Sequence, residues 1–284
     1  MKKKRIKSLI FGISGQDGSY LSHFLINKKH DIYGTTRNSN KNNLRNLTRL
    51  GILKKVKIIK CDIANFFAVK KLIKKIKPDE IYYLCGQSSV TESYVDPGEA
   101  FKSNTLSLLN VLEIIKKTNR KTKIFNAVSG QFYGDRKKNI YNEKSYINPQ
   151  SPYGVSKAGS YWLVKIFREW YGIKCCNGIL FNHESPLRSD EFVTKKIINH
   201  CHLIKKRKLK YLYMGDINIS RDWGWAPEYV EAMYLMLRQK DPKDLVIGSG
   251  KKHSLKSFIY EAFRLLRIPR NRLKANTKKF IRNK

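Results

Sequence analysis

The sequence predicts an α/β chain built on a doubly wound parallel sheet, followed by a small C-terminal substrate-binding lobe. Short apolar runs alternate with amphipathic stretches through the first half of the chain. Three glycines, Gly12, Gly15 and Gly18, stand between the first apolar run and the first amphipathic one. At 284 residues and 41% hydrophobic content, the chain is long enough to bury a substantial core.

Candidate strands are Ser8 to Ile13, Ile32 to Thr36, Val56 to Asp62, Ile81 to Cys85 and Ile124 to Ser129. The helices between them are expected to start near Gly18, Asn65, Gly98 and Ser151. Strands separated in this way by helices pair in parallel, with helices covering both faces. CCNGILFN, from Cys175, reads as a sixth strand. Shorter elements follow: a helix from about Asp190, a strand in YLYMG, a helix after Pro227, a strand in LVIG and a helix after Ser254. No internal repeat or low-complexity linker divides the chain.

Charge is the extreme feature of the composition: 58 Lys and Arg against 22 Asp and Glu, a formal net charge of +36. Such a field attracts nucleic acid or an anionic surface. The lysines are nevertheless spread along the whole chain, as in KKLIKKIKPDE and HLIKKRKLKYL, without the arginine-aromatic motifs of nucleic-acid readers. Solvated faces are the favoured reading, nucleic acid is not the expected partner, and a basic binder on an inactive scaffold is the rival class. No apolar run reaches the length of a membrane span, and MKKKRIKSLIFGIS lacks a long apolar signal core, so a cytoplasmic protein with no membrane partner is expected. Cys61, Cys85, Cys175, Cys176 and Cys201 have neither C-x-x-C spacing nor an even count. Reduced, mostly buried thiols and no metal site are expected.

Glycines after a strand and before a helix let the backbone approach a pyrophosphate, and the helix N-terminus offers unpaired N–H donors. Gly12, Gln16, Asp17 and Gly18 thus frame a dinucleotide site, with Gly15 at its centre. Arg37 ends the second strand, where an acidic residue would prefer a free ribose 2′-hydroxyl; arginine suits a 2′-phosphate and favours NADP over NAD. Asp62 and Ile63 are placed to touch the adenine, and Leu84 to Ser88, including Gln87, to line the inner side of the cofactor. Tyr153 and Lys157 stand one helical turn apart in SPYGVSKAGSYW, with Ser129 upstream in NAVSGQFYG. A phenol has an ordinary pKa of about 10 and needs a nearby cation to act as a base, which Lys157 supplies. Ser129 would hydrogen-bond the substrate oxygen that loses its proton. Residues 1–182 therefore read as an NAD(P)-binding domain and 183–284 as the substrate lobe.

GILFNHESPLR (Gly178 to Arg188), FVTKKI (Phe192 to Ile197), MGDINISRDWGWAPEYVEAM (Met214 to Met233) and GISGQDGSYL (Gly12 to Leu21) carry a specific likeness. Through nearly its whole length the chain resembles the GDP-mannose 4,6-dehydratase family, extended short-chain dehydrogenases/reductases of the NAD-dependent epimerase/dehydratase superfamily. The resemblance implies a Rossmann domain, NADP as cofactor, a GDP-sugar as substrate and a homo-oligomer, dimer or tetramer. It implies that Ser129, Tyr153 and Lys157 are catalytic and that His183 and Arg188 belong to a cofactor-contacting segment. Ser88, Asn182, Lys196 and Arg221 would hold the GDP-sugar, the two cations suiting a diphosphate. The implied reaction oxidises the sugar at C4, eliminates water across C5 and C6 and returns the hydride to C6, a hydro-lyase reaction.

The chain departs from the family at four places. The glutamate that serves as base at C5 and acid at the 6-hydroxyl is Gln131 here, and an amide has no useful proton affinity near neutral pH. Oxidation at C4 without elimination, as in a GDP-sugar 4-oxidase, epimerase or reductase, is therefore the alternative activity. The family histidine after Gln-Ser is Ser89, and a second arginine after Arg37 is Asn38. The chain stops at Lys284, where the family runs on, which is expected to loosen sugar binding before it harms the nucleotide fold.

Overall fold

The structure, a computed structural model, describes residues 4–134 and 140–275. Strand β1 (Lys7–Phe11) leads into helix α1 (Gln16–Asn27), β2 (Asp31–Thr36), the short α2 (Arg45–Arg49), β3 (Lys57–Lys60), α3 (Phe66–Ile76) and β4 (Glu80–Tyr83). Helices α4 (Val90–Val95) and α5 (Pro97–Phe101), a π-helical turn (Lys102–Leu106) and α6 (Ser107–Thr118) follow. Next come β5 (Lys123–Ser129), α7 (Pro152–Tyr171), β6 (Cys175–Leu180), β7 (Asn182–Glu184), α8 (Val193–Lys205), β8 (Leu212–Met214) and β9 (Ser220–Trp225). Helix α9 (Ala226–Arg238), β10 (Leu245–Ile247), β11 (Lys252–Ser254), α10 (Leu255–Leu266) and β12 (Leu273–Ala275) complete the described chain.

Seven strands form one parallel sheet in the order β10-β6-β5-β4-β1-β2-β3. The winding reverses between β1 and β4, so a crevice opens beyond their carboxyl ends, where such sheets bind ligands. Strand alternation sorts the core onto two faces. Leu9, Phe11, Ile81, Tyr83 and Ile124 pack with α3, α6 and α7, whereas Ile10, Tyr82, Phe125 and Cys176 pack with α1 and α9. Helix α3 shows why the segments fold locally: Asn65 accepts from the Ala68 amide as N-cap, and Val69, Leu72, Ile73 and Ile76 form its buried stripe.

The chain divides into two compact units, one of residues 1–181 and 226–247, the other of 182–225 and 248–284. A single boundary near residue 183 does not describe this. Segment 226–247 returns to the first unit because α9 packs on α1 and β10 adds to the edge of the sheet beside β6. Asp244 anchors the return, taking both Arg168 guanidinium nitrogens at 2.7 Å and the Asn177 amide at 2.7 Å. Within the second unit β11, β9 and β7 form one small sheet and β12 and β8 another, over a core including Ile197, Cys201, Leu212, Ile259 and Phe263.

Two further expectations are corrected. CCNGILFN is not one strand: the Phe181 amide still bonds Ile247 in the large sheet, but from Asn182 the chain pairs with β9. The helix expected from Gly98 begins earlier and in pieces, because Ser89 and Asp96 each cap a short helix before α6. The five thiols are free, all buried except the half-buried Cys85. Among the described residues no helix is long and apolar enough to cross a membrane, and no cluster of His, Cys, Asp and Glu is placed to hold a metal ion.

At the amino end of the sheet the buried Glu80 carboxylate accepts the Tyr82 hydroxyl at 3.0 Å and pairs with Arg238 at the end of α9. Removing one partner of a buried pair leaves an uncompensated charge. Arg238→Ala is expected to cost about 3 kcal/mol of unfolding free energy by urea titration, and an unchanged midpoint would refute this role.

Candidate active site

The glycine turn separates packing from ligand binding. Gly12 has φ +89°, and a Cβ there would stand 3.0 Å from the Leu84 carbonyl and the Cys85 amide nitrogen. At Gly18 a Cβ would lie 2.3 Å from the Gly12 carbonyl oxygen, so α1 can approach the turn only without a side chain. Gly15 differs: a Cβ would meet only the Gly12 oxygen, at an ordinary 3.4 Å, and its φ is −69°. The protein's own packing does not require Gly15 to be glycine. It caps α1 with no side-chain hydrogen bond, so the positive dipole end of the helix meets a bare backbone turn. A pyrophosphate suits that end, and the turn therefore fits a dinucleotide.

Most of the predicted cofactor residues follow the carboxyl ends of β1 to β4. Gln16 is buried beside the turn and donates to the Asp17 carboxylate at 3.1 Å. Arg37 follows β2 with its side chain 81% exposed, 3.7 Å from Glu99. That leaves its guanidinium accessible to a phosphate. Asp62, past the end of β3, is exposed and accepts the Ala64 amide at 3.0 Å, with Ile63 half-buried beside it. Leu84 continues from β4, its amide bonded to Phe11, and Ser88 is exposed.

Sequence reasoning missed what fastens this loop. The Gln87 amide donates to Ser103 Oγ at 3.0 Å, and the Gln87 carbonyl accepts from Asn104 Nδ2 at 3.0 Å. Asn104 also reaches Ser156 Oγ at 3.2 Å, and Ser156 in turn donates to the Tyr153 carbonyl at 2.8 Å. Ser103 and Asn104 lie in the π-helical turn, whose widened backbone presents consecutive side chains to the loop and to α7. The only sequence signal is a run of small polar residues, KSNT, inside a helical pattern.

Helix α7 is set by Ser151, which accepts the Gly154 amide at 3.0 Å, and by Pro152 at its first position. Tyr153 is thereby buried in the first turn and Lys157 in the second. Lys157 Nζ donates to the Ala127 carbonyl of β5 at 2.9 Å and lies 5.8 Å from the Tyr153 ring centroid. Burial, opposed by Cys85, holds the ammonium down to about 8 from its ordinary 10.5. Burial also pushes the Cys85 thiol up to about 12, which leaves it a neutral wall of the site. Ser129, two residues beyond Ala127, accepts the Gln131 amide at 3.3 Å. A Cβ on Gly154 would stand 3.1 Å from the Gln131 carbonyl, so the first turn of α7 approaches the Gln131 backbone only without a side chain there.

The other predicted residues belong to the second unit. Asn182 is in register with Trp223 and Arg221 with His253, on the three strands of one sheet. Arg221 is exposed, as is Lys196 on α8. His183 is buried, and Arg188 is engaged twice, 3.3 Å from Glu184 and stacked 3.6 Å over the Phe192 ring.

Comparison with known proteins shows the family. The family description GDP-mannose 4,6 dehydratase matches residues 9–282. The chain belongs to this family. GDP-mannose 4,6 dehydratase 1 of Arabidopsis thaliana is 37% identical over 271 residues, covering 92% of this chain and 75% of that protein. GDP-mannose 4,6-dehydratase of Vibrio cholerae is 37% identical over 271 residues, covering 92% and 72%. As a GDP-mannose 4,6-dehydratase family member the chain is a hydro-lyase. Its fold is that of dTDP-glucose 4,6-dehydratase from Bacillus anthracis, solved in complex with NAD: the TM-score is 0.82 at 18% identity, over 95% of this chain and 84% of that one.

Gly15→Ala is expected to leave the unfolding free energy within about 1 kcal/mol of wild type, yet weaken dinucleotide binding at least about tenfold in a fluorescence titration. Gly18→Ala should instead destabilise the fold, and a reversed pattern would remove the distinction between the two glycines. Lys157, with its folded pKa below the unfolded one, sheds its proton first in the folded state as pH rises from about 8 to 10.5. The unfolded state then binds more protons, so stability increases across that window. Lys157→Met should abolish this rise in pH-dependent urea unfolding; a rise that persists would mean that the ammonium is not desolvated.

Proposed function

We propose that the chain is an NADP-dependent GDP-mannose 4,6-dehydratase that forms the 4-keto-6-deoxy sugar nucleotide, acting in the cytoplasm as a dimer or tetramer. The reading rests on one observation above the rest: the buried Lys157 ammonium, held on the Ala127 carbonyl one helical turn from Tyr153, with no carboxylate partner among the described residues. A cation so placed favours ionisation of the neighbouring phenol. Gly12, Gly15, Gly18 and the first turn of α1 would hold the cofactor pyrophosphate; Arg37 and Asp62 would take the adenosine end, and Leu84, Gln87 and Ser88 the inner end. When bound there, the nicotinamide supplies the acceptor, and later the donor, of a hydride.

The chain's own residues handle the protons. Tyr153, as phenolate, takes the 4-hydroxyl proton of the sugar. Ser129 hydrogen-bonds that oxygen, and Lys157 offsets the charge on the phenol. The resulting 4-ketone acidifies C5–H, and elimination of the 6-hydroxyl then needs a group that removes one proton and delivers another. Gln131 stands where the family places a glutamate for this task, and it can only hydrogen-bond. By the family resemblance, Asn182, Lys196 and Arg221 would serve the GDP-sugar, and His183 and Arg188 the cofactor.

Gln131 supports a second reading, in which the enzyme oxidises, epimerises or reduces a GDP-sugar at C4 and eliminates slowly. Pure protein with NADP and GDP-mannose is expected to yield a product lighter by one water in mass spectrometry, and Tyr153→Phe to lower its rate at least about a hundredfold. Gln131→Glu should raise the elimination rate by between about 10² and 10⁴. NADPH accumulation without loss of water would favour the second reading, and no turnover of any GDP-sugar would sink both.

A further inference from the structure

The second unit carries its positive charge unevenly. No Asp or Glu occurs between Phe192 and Gly215 or from Ala262 to the end of the chain. The parallel pairing of β8 with β12 brings these two acid-free segments side by side, Leu212 against Leu273 and Tyr213 against Lys274. Lys205, which ends α8, and Lys206, Arg207, Lys208 and Lys210, in the turn that leads into β8, are all exposed. Arg272 reaches back to the Lys210 carbonyl at 3.4 Å.

Three cations converge on one ring: Lys210 at 5.4 Å, Lys274 at 5.0 Å and Arg272 at 6.0 Å from the Tyr211 centroid. Beside it Tyr213 is 70% exposed, and Leu209 in the same turn is also exposed. Five of the unit's six acids are occupied elsewhere, and the sixth, Glu191, precedes α8 outside both acid-free segments. Glu184 pairs with Arg188, Glu261 with Arg264, Asp190 binds Asn199, Asp216 caps Asn218, and Asp222 holds the Ser249–Gly250 turn. Like charges gathered without counter-charge repel, and an anionic partner relieves that repulsion.

We propose that the face formed by the 205–211 segment and the β8–β12 edge is an electrostatic docking surface for anionic phospholipid headgroups. Exposed lysines interleaved with one tyrosine and one leucine suit a headgroup layer, which accepts ammonium groups and the amphipathic phenol together. Single-stranded nucleic acid is the weaker fit. It needs successive open aromatic faces, whereas Tyr211 already carries the protein's own cations and only Tyr213 is open. Adsorption of this kind is peripheral and requires no membrane-spanning element.

The test must separate this face from the general charge of the molecule. Full-length protein is sedimented with phosphatidylcholine vesicles, with or without phosphatidylserine, at low and high salt. Binding is expected only with phosphatidylserine and should fall as salt rises. Lys206→Glu/Lys208→Glu/Lys210→Glu should reduce the vesicle-bound fraction at least about tenfold. Lys71→Glu/Lys74→Glu/Lys75→Glu, an equal charge change on the exposed side of α3, should reduce it less than about twofold. Both variants should keep the wild-type turnover and unfolding midpoint. If the 206/208/210 triple unfolds early, the glutamine version replaces it, with the same direction of effect expected. Equal losses in the two triples, or binding indifferent to phosphatidylserine, would overturn the proposal. So would selective loss of single-stranded oligonucleotide binding in the 206/208/210 triple while vesicle binding persists.

Discussion

A buried ammonium with no carboxylate beside it among the described residues is the constraint around which the first unit is organised. Burial makes Lys157 costly to keep charged, and its hydrogen bond to the Ala127 carbonyl meets a dipole rather than a counter-charge. Tyr153 lies one turn away on the same helix, buried like Lys157. Everything that fixes α7 against β5 serves this pair, from the Ser151 cap to the glycine at 154 that admits the Gln131 carbonyl.

The opposite wall of the cleft is fixed by exclusion of side chains. Gly12 and Gly18 exist to bring backbone against backbone, and that contact places the N-terminus of α1 beyond β1. The π-helical turn joins the two walls. Ser103 and Asn104 bind the backbone of Gln87 from both sides, and Ser156 passes the connection to Tyr153. The links run through backbone groups and amide nitrogens, while the side-chain oxygens of Gln87 and Asn104 are buried without a hydrogen-bond partner among the described residues.

Local patterning made most of the first unit legible. The strands, the glycine turn and the Tyr153–Lys157 spacing are short-range features, and parallel strands buried on both faces announce themselves as apolar runs. Elements that depend on distant partners were not legible. SRDWGW has no clean alternation, and it is a strand only because β7 and β11 flank it. CCNGILFN looks continuous, and only pairing partners far along the chain, Ile247 and then Trp223, divide it. The Asn104 connections were invisible for the same reason, since a small polar residue within a helix carries no sign of what it will bond.

Neither unit is a contiguous stretch of polypeptide, because the backbone passes from one to the other at 181–182, 225–226 and 247–248. No single cut in the chain can therefore release an intact half. A fragment ending near residue 181 would lack the edge strand and helix that cover β6 and α1, exposing apolar surface and a row of unpaired backbone groups. Modular exchange of the smaller half with that of a relative would have to splice at all three crossings at once, which makes the pair a single heritable assembly rather than two interchangeable parts.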